Sequence, residues 1–320
     1  MNVQEAVNRF LLSMQGVRSP ATIVWYRNRL SSLVAFVGPG TQLERVTLED
    51  LRRWRAVLSE RNVRWGGHSS RPAVAGGLSS WTLYSYIKTA RVLFRWLVAE
   101  GALQRNVADR LELPRRSKIP RRGVDDKVAD AIIAVARQGC ERDLALTLFV
   151  AESACRVCGV VGLRIGDLDL ENGSAMVREK GWGGHGLGRS VFFGKETAKA
   201  IRAWLKVRPV SEDDHVFLGE RGALKESGVY QMFKRLARRA GIDSNGWNPH
   251  AWRHAAARSM LNNGASLAHV SQILGHSSVE ITAAFYGTFA TCELQDAHQR
   301  YSRYTTTLEL PAEAGHGPAK

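Results

Sequence analysis

The sequence predicts a mainly α fold with a small β-hairpin or sheet, divided into a helical N-terminal domain and a mixed α/β C-terminal domain. Three observations predict it. Apolar residues recur at helical spacing through the N-terminal third. The chain then breaks at Pro114-Arg115-Arg116-Ser117-Lys118-Ile119-Pro120-Arg121-Arg122, where two prolines forbid a continuous helix and five of nine residues are basic. Beyond the break, strand-like runs around a glycine-rich turn are followed by more helical segments. The expected domains are 1–113 and 123–310, with 114–122 as linker and 311–320 as a disordered tail.

The N-terminal elements follow from spacing and stop signals. Residues 3–14 place Val3, Ala6, Val7, Phe10 and Leu11 on one helical stripe. Ser19-Pro20 opens a second helix carrying Ile23, Tyr26, Leu30, Leu33, Val34 and Val37, which ends at Gly38-Pro39-Gly40. Thr47-Leu48-Glu49-Asp50 starts a third, running to about Arg61. Gly66 to Gly77 is polar and glycine-rich, hence a loop. Ser79 or Ser80 begins a long helix with Leu83, Tyr86, Ile87, Ala90, Leu93, Phe94 and Leu97, stopped by Gly101. Such short helices fit a compact bundle.

After the linker, residues 125–137 and 141–154 read as helices. Asp167 to Val177 and Arg189 to Phe193 read as short strands around a glycine-rich turn. Helices are expected at about 195–207, 226–240, 250–263, 266–274 and 278–288. No internal repeat is present.

Composition narrows the function classes. The chain has 320 residues, 44% hydrophobic and 23% charged, which supplies packed cores and excludes a disordered chain. No apolar run approaches the roughly 18 residues of a membrane span, and the opening residues, with Glu5 and no long apolar run, are not expected to act as a signal peptide. Four cysteines (Cys140, Cys155, Cys158, Cys292) make no disulfide scaffold, and a cytoplasmic, nucleoid-associated protein is expected. The net charge is +15, which favours polyanionic partners. Residues 1–122 hold 21 basic and 8 acidic residues, a net of +13; residues 123–320 hold 24 and 22, a net of +2. The N-terminal domain and the strap are therefore expected to provide most of the sequence-independent grip on a phosphate backbone.

The chemistry-bearing residues lie in the C-terminal domain. Asn248-Pro249-His250-Ala251-Trp252-Arg253-His254 begins a helix, with His250 and Arg253 on one face and the helix N-terminus available to attract an anion. Leu274-Gly275-His276-Ser277-Ser278 follows, with His276 twenty-six residues after His250, and Tyr286 comes ten residues later. Here the sequence resembles the tyrosine recombinase family of phage-integrase type. Arg156, in Ser153-Ala154-Cys155-Arg156-Val157, matches the family's first arginine, placed in a helix after an apolar helix. Gly162 to Asp169 matches its Gly-Leu-Arg-x-x-Asp-Leu-Asp continuation. Lys180, followed by Gly181 and later by Arg189, matches its hairpin lysine. Thr22 to Phe36 and Ser79 to Asn106 resemble helices of the family's core-binding domain, so the likeness covers nearly the whole chain. No additional arm-site-binding domain is expected.

The resemblance implies a site-specific DNA recombinase acting through a 3′-phosphotyrosyl intermediate and a four-way junction. Arg156 and Arg253 would clamp the non-bridging oxygens of a phosphodiester with forked donors. Tyr286 would be the nucleophile, His250 its base, His276 a donor to a phosphate oxygen and Lys180 the proton donor to the departing 5′-hydroxyl. No metal or nucleotide is required. The implied partners are double-stranded DNA, held in a two-domain clamp, a homotetramer on two DNA sites and an accessory DNA-bending protein; the segment Thr288 to Leu310 either docks on a neighbouring protomer or packs on its own domain. Two other functions share the fold: a catalytically weak DNA-binding regulator and a type IB topoisomerase-like relaxing enzyme.

The family usually carries an acid three positions after the first arginine. Here that position is Gly159, so another group must hold the site or the site is looser. The hairpin turn is also unusually rich in glycine, with Gly181, Gly183, Gly184, Gly186 and Gly188. Blander readings attach to neighbouring residues. His254 reads as structural. Arg164 reads as a salt-bridge or surface arginine, with Asp167 and Asp169 close by. Tyr301 and Tyr304 lack the box that precedes Tyr286. Cys155 and Cys158 lack the second matched pair of a zinc site. Trp65, Trp182 and Trp247 either stack on DNA or cap a core. Ser227 to Arg239 is either a major-groove helix or a solvated face.

Overall fold

The computed structural model describes residues 1–64, 73–115, 124–179, 188–243, 248–276, 278–286 and 298–299, with the backbone alone for 284–286. The chain divides into two compact units, Met1–Ile119 and Pro120–Lys320. Of the basic strap, 116–122 lie outside the described residues, as do Gly66, Trp65, Trp182, Trp247, Cys292, the segment Thr288 to Leu310 apart from 298–299, and the tail 311–320.

The first unit is built on four helices, α1 (Val3–Ser13), α2 (Pro20–Val37), α3 (Leu48–Glu60) and α4 (Ser80–Ala99). Each start is written in the side chains. Asn2 and Glu5 form a capping box at α1, and Thr47 and Asp50 another at α3; Ser19 and Ser79 cap α2 and α4 through the amides of Thr22 and Thr82. The apolar stripes meet in one core of Phe10, Leu30, Leu33, Leu51, Trp54, Leu58, Leu93, Phe94 and Leu97. Each such side chain contributes about 1.5–3 kcal/mol by leaving water. Part of the expected loop is ordered: β1 (Val63–Arg64) pairs antiparallel with β2 (Val74–Ala75).

In the second unit α5 (Asp126–Arg137) leads into α6 (Glu141–Ser153). Helix α6 is buried on nearly every side, and α5 packs against it. A five-residue helix, α7 (Val157–Val161), follows. The expected hairpin is a three-stranded antiparallel sheet, β3 (Leu168–Asp169), β4 (Ser174–Arg178) and β5 (Gly188–Phe192), with β4 central. The run from Asp167 to Val177 is split by a turn at Glu171–Gly173, which folds two residues back as a strand of their own. In β4 and β5, Ala175, Val177, Arg189 and Val191 face inward and alternate with exposed residues. Then come α8 (Lys195–Val207), a short ribbon of β6 (Leu218–Gly219) and β7 (Gly222–Ala223), α9 (Glu226–Arg239), α10 (Pro249–Asn262), α11 (Leu267–Leu274) and α12 (Val279–Tyr286). Phe149, Val177, Ile201, Phe217, Phe233 and Trp252 fill the core that holds α6, α8, α9 and α10 to the sheet. Among the described residues, no helix is long and apolar enough to cross a membrane.

Candidate active site

The first arginine sits at a corner rather than inside a helix. Helix α6 ends at Ala154 with φ 49° and ψ 21°, the one non-glycine residue with positive φ among those described. That left-handed turn leaves Arg156 extended at the N-cap of α7, with φ −72° and ψ 153°. Its Nη1 donates to Glu179 Oε2 at 2.8 Å, and its backbone N–H donates to Glu179 Oε1. Arg189 reaches the same carboxylate from β5, with Nε to Oε2 and Nη2 to Oε1 both at 3.2 Å. Glu179 is only 2% exposed. Burial pushes its carboxyl pKa up, but the Arg189 charge and hydrogen bonds, the Arg156 amide and the Arg253 charge outweigh burial and hold it below its ordinary value.

The second arginine and the first histidine come from α10. Asn248 caps this helix by accepting from the amides of His250 at 3.0 Å and Ala251 at 3.1 Å. Those amides are thus satisfied internally, which corrects the expectation that the helix N-terminus is open to an anion. One turn on, Arg253 is 3% exposed. Its Nη1 donates to Ala154 O at 2.7 Å and its Nη2 to Leu274 O at 2.5 Å. One guanidinium therefore ties the corner before Arg156 to the end of the helix before His276. Burial first, then the charge of Arg156, lowers its pKa to about 10, so it stays cationic. Arg156, His250 and Arg253 line one cavity of about 460 Å³ together with Cys155, Cys158, Tyr230 and Asn248. His254 is buried with its ring edge-on to His250, centroids 4.5 Å apart, in keeping with a packing role.

The second histidine is positioned by a glycine. Gly275 ends α11 at φ +65°, and a β-carbon there would lie 2.8 Å from Arg189 Cδ and 2.9 Å from its Nε. Both the backbone turn and the passage of Arg189, whose Nη1 donates to Ile273 O, require glycine. His276 comes next, its Nδ1 2.8 Å from the hydroxyl of Thr282 on α12. Burial, then the charges of Arg253, Arg156, Arg189 and His250, lower its pKa to about 4. Tyr286 is one turn beyond Thr282 and ends α12; its backbone is described and its side chain is not. Lys180 lies outside the described residues.

Glu179 and the role of Arg189 escaped the sequence reading. The available signal was an acid next to the hairpin lysine, in a chain whose usual acid after the first arginine, at position 159, is glycine. Arg164 does form a salt bridge, but to Asp214 at 2.9 Å; Asp167 pairs instead with Arg178 at 2.8 Å. On α9, Val229, Met232, Phe233, Leu236 and Ala237 are buried, while Ser227, Gln231, Lys234 and Arg238 face outward and Arg235 pairs with buried Asp143. Cys155 Sγ accepts from Ser153 Oγ at 3.3 Å, and burial pushes its pKa up to about 12. Among the described residues, one group of metal-ligating side chains clusters, Asp213, Asp214 and His215. Its oxygens already accept from Ala223, Arg164 and His215.

Known proteins match most of the chain in sequence and fold. The phage integrase family matches residues 123–290, and the phage integrase N-terminal SAM-like domain matches residues 7–101. Tyrosine recombinase XerC of Mycobacterium bovis is 30% identical over 309 residues, covering 90% of this chain and 95% of the relative. XerC of Alcanivorax borkumensis is 26% identical over 295 residues, 89% of each chain. In fold, the Tn1549 transposon integrase in complex with transposon right end DNA superposes with a TM-score of 0.74 at 17% identity, covering 94% of this chain and 99% of that one. A lambda integrase dimer bound to a COC′ core site gives 0.67 at 14%, over 88% and 97%. Two arginines and a histidine on one cavity, a second histidine beside them and these matches agree: the chain belongs to the phage integrase family, the tyrosine recombinases.

Proposed function

We propose that this enzyme, a site-specific DNA recombinase, cuts and rejoins duplex DNA with Tyr286 as nucleophile and the Arg156–Arg253 pair as phosphate clamp. The Tyr286 oxygen attacks phosphorus, a 3′-phosphotyrosyl bond forms, and the bond to the 5′-oxygen breaks. His250 takes the phenolic proton, and Lys180 supplies one to the departing 5′-oxygen. A 5′-hydroxyl from another strand then reverses the step, releasing the tyrosine and joining the new strand. Nothing is hydrolysed, so the phosphoester bond is conserved without a nucleotide.

The observation that carries this reading is the convergence of Arg156, His250 and Arg253 on one cavity. Attack adds negative charge to the non-bridging oxygens, and both arginines line that space, Arg156 with about a third of its side chain exposed and Arg253 held by two backbone carbonyls. His276 is neutral at working pH, so it acts as a hydrogen-bond donor to phosphate rather than as a cation. Thr282 on its Nδ1 side favours the tautomer with hydrogen on Nε2 when the hydroxyl donates.

The remaining parts of the proposal follow from that chemistry. Exchange of strands between two duplexes requires four nucleophiles, hence a homotetramer on two sites, with a DNA-bending protein where the duplex must be deformed. The setting is the nucleoid in the cytoplasm. The domains are a core-binding domain over 1–113 and a catalytic domain over 123–310, joined by the strap.

The test uses a pool of nicked duplexes with a randomised target segment, from which covalent protein–DNA adducts are recovered after denaturation. Wild type is expected to form adduct on an enriched sequence and Tyr286→Phe none. Adduct from Tyr286→Phe at the wild-type rate would assign the nucleophile elsewhere. No adduct from wild type would favour a DNA-binding regulator.

A further inference from the structure

We propose that Glu179 is the positioning residue of this active site: from the end of β4 its carboxylate sets the Arg156 phosphate clamp, the task a carboxylate at position 159 of α7 would otherwise perform. The inference rests on Arg156 being that clamp.

The geometry places both positions in one volume. A β-carbon built on Gly159 would lie 3.0 Å from Cγ and 3.0 Å from Oε1 of Glu179. A side chain at 159 would therefore press directly on the Glu179 side chain, so a carboxylate from α7 and one from the end of β4 would compete for the same place beside Arg156. The Glu179 carboxylate is fully used. It receives the Arg156 amide and guanidinium on one side and the Arg189 guanidinium on the other. Removing such a partner leaves buried charge uncompensated.

The arrangement does more than staple strand to helix. The amide contact fixes where the Arg156 backbone stands, and the 2.8 Å contact with Nη1 fixes the plane of its fork. The Arg156 side chain is 32% exposed and lines the cavity, so the guanidinium donors that Glu179 does not take stay available to a phosphate there. A planar fork is useful only in a defined plane. Arg189, held by the same carboxylate, passes against Gly275 and bonds Ile273 O, so the setting extends to the turn that carries His276.

The test is a transplantation of the acid in the full chain. Glu179→Gln is expected to slow adduct formation on the enriched nicked duplex by about 10–100-fold, the order found when the hydrogen-bonded partner that orients a metal ligand is removed. DNA affinity by gel shift should move far less, because the clamp acts on the transition state. Gly159→Glu alone puts two carboxylates in one space and should impair folding. The double variant Gly159→Glu/Glu179→Gly should recover most of the lost rate. In DNA-free protein, side-chain ¹⁵N spectra should show slow rotation of the Arg156 guanidinium in wild type and the double variant, and fast rotation in Glu179→Gln. The spectra decide even if wild type forms no adduct, a result that would count against the recombinase reading instead. Wild-type cleavage by Glu179→Gln, a double variant no better than Glu179→Gly, or equal rotation in all three proteins would overturn the proposal.

Discussion

Arg253→Lys keeps the charge and removes the fork. In the native protein Nη1 bonds Ala154 O at 2.7 Å and Nη2 bonds Leu274 O at 2.5 Å. A hydrogen bond from a charged donor contributes about 1.5–3 kcal/mol. A single ammonium can keep one of two carbonyls that lie on opposite branches of a fork, so one bond is lost. Arg253 is 3% exposed, so little solvent screening reduces that loss. For a domain of this size, 1.5–3 kcal/mol corresponds to a fall in Tm of about 3–12 °C. Cleavage should fall by about 100-fold or more, as when one transition-state donor is removed. The pH profile should also change. Burial and Arg156 lower the arginine to about 10; the same surroundings act on a lysine that starts from a lower ordinary value. Its charge would be lost nearer the working range, so the variant's residual cleavage should rise as pH falls, unlike that of wild type. Circular-dichroism melts and adduct rates across pH measure these effects. A Tm within about 1 °C of wild type, or a pH profile identical in shape, would refute the reasoning.

Three further outcomes are expected. Histidine ordinarily titrates at 6.5, and His276 is lowered to about 4. Between those values the unfolded chain binds a proton that the folded one refuses, so stability falls as pH drops through that window. His276→Asn should flatten the urea-midpoint profile there relative to wild type, and parallel profiles would contradict the assignment. Native alkylation at pH 8 should label exposed Cys140 and spare buried Cys155, whose thiol is pushed up to about 12; comparable labelling of both in peptide mass maps would count against that burial. Residues 123–320 alone, with +2 of the +15 net charge, should bind a random duplex weakly and with a shallow salt slope. A slope equal to that of the full chain would place the non-specific grip in the catalytic unit instead.

The parts of the fold that were legible are those whose cause is local. Ser19-Pro20, Thr47 with Asp50, Ser79 and Asn248-Pro249 each announce a helix start within four residues, and the helices begin there. What stayed hidden depends on distant partners. Asp214 is 50 residues from Arg164, so nearby Asp167 looked the better mate; that acid is taken by Arg178 across the sheet. Ala154 adopts a left-handed turn that alanine does not advertise, and it moves Arg156 out of the helix. The order of the site boxes pointed to Arg156, His250, Arg253 and His276; the first three line one cavity, and the charges of Arg156 and Arg253 act on the fourth. That Asn248 closes the helix N-terminus depends on a side-chain rotamer. Glu179 depends on a contact spanning 23 residues, which no spacing rule reaches.

A buried acid behind the arginines of a proposed phosphate site looks counterproductive until the charges are counted. Arg156, Arg189 and Arg253 act on one another's surroundings together with one carboxylate, Glu179, leaving a surplus of two positive charges. A phosphodiester in the ground state carries one negative charge, and attack by a phenolate oxygen adds a second. The surplus therefore matches the transition state better than the substrate, the condition for raising the rate of the chemical step rather than merely tightening binding. The depressed pKa of His276 reflects that surplus: after burial, its causes are these three arginines and His250. Without Glu179 the surplus would be three, and Arg253, whose charged form Glu179 supports, would lose its proton more readily. The carboxylate does not repel the phosphate at close range, because both its oxygens are engaged by arginine donors and it is buried behind them. One acid among three guanidiniums relieves their mutual repulsion, and on the proposal made for Glu179 either side of the Arg156 corner can supply it.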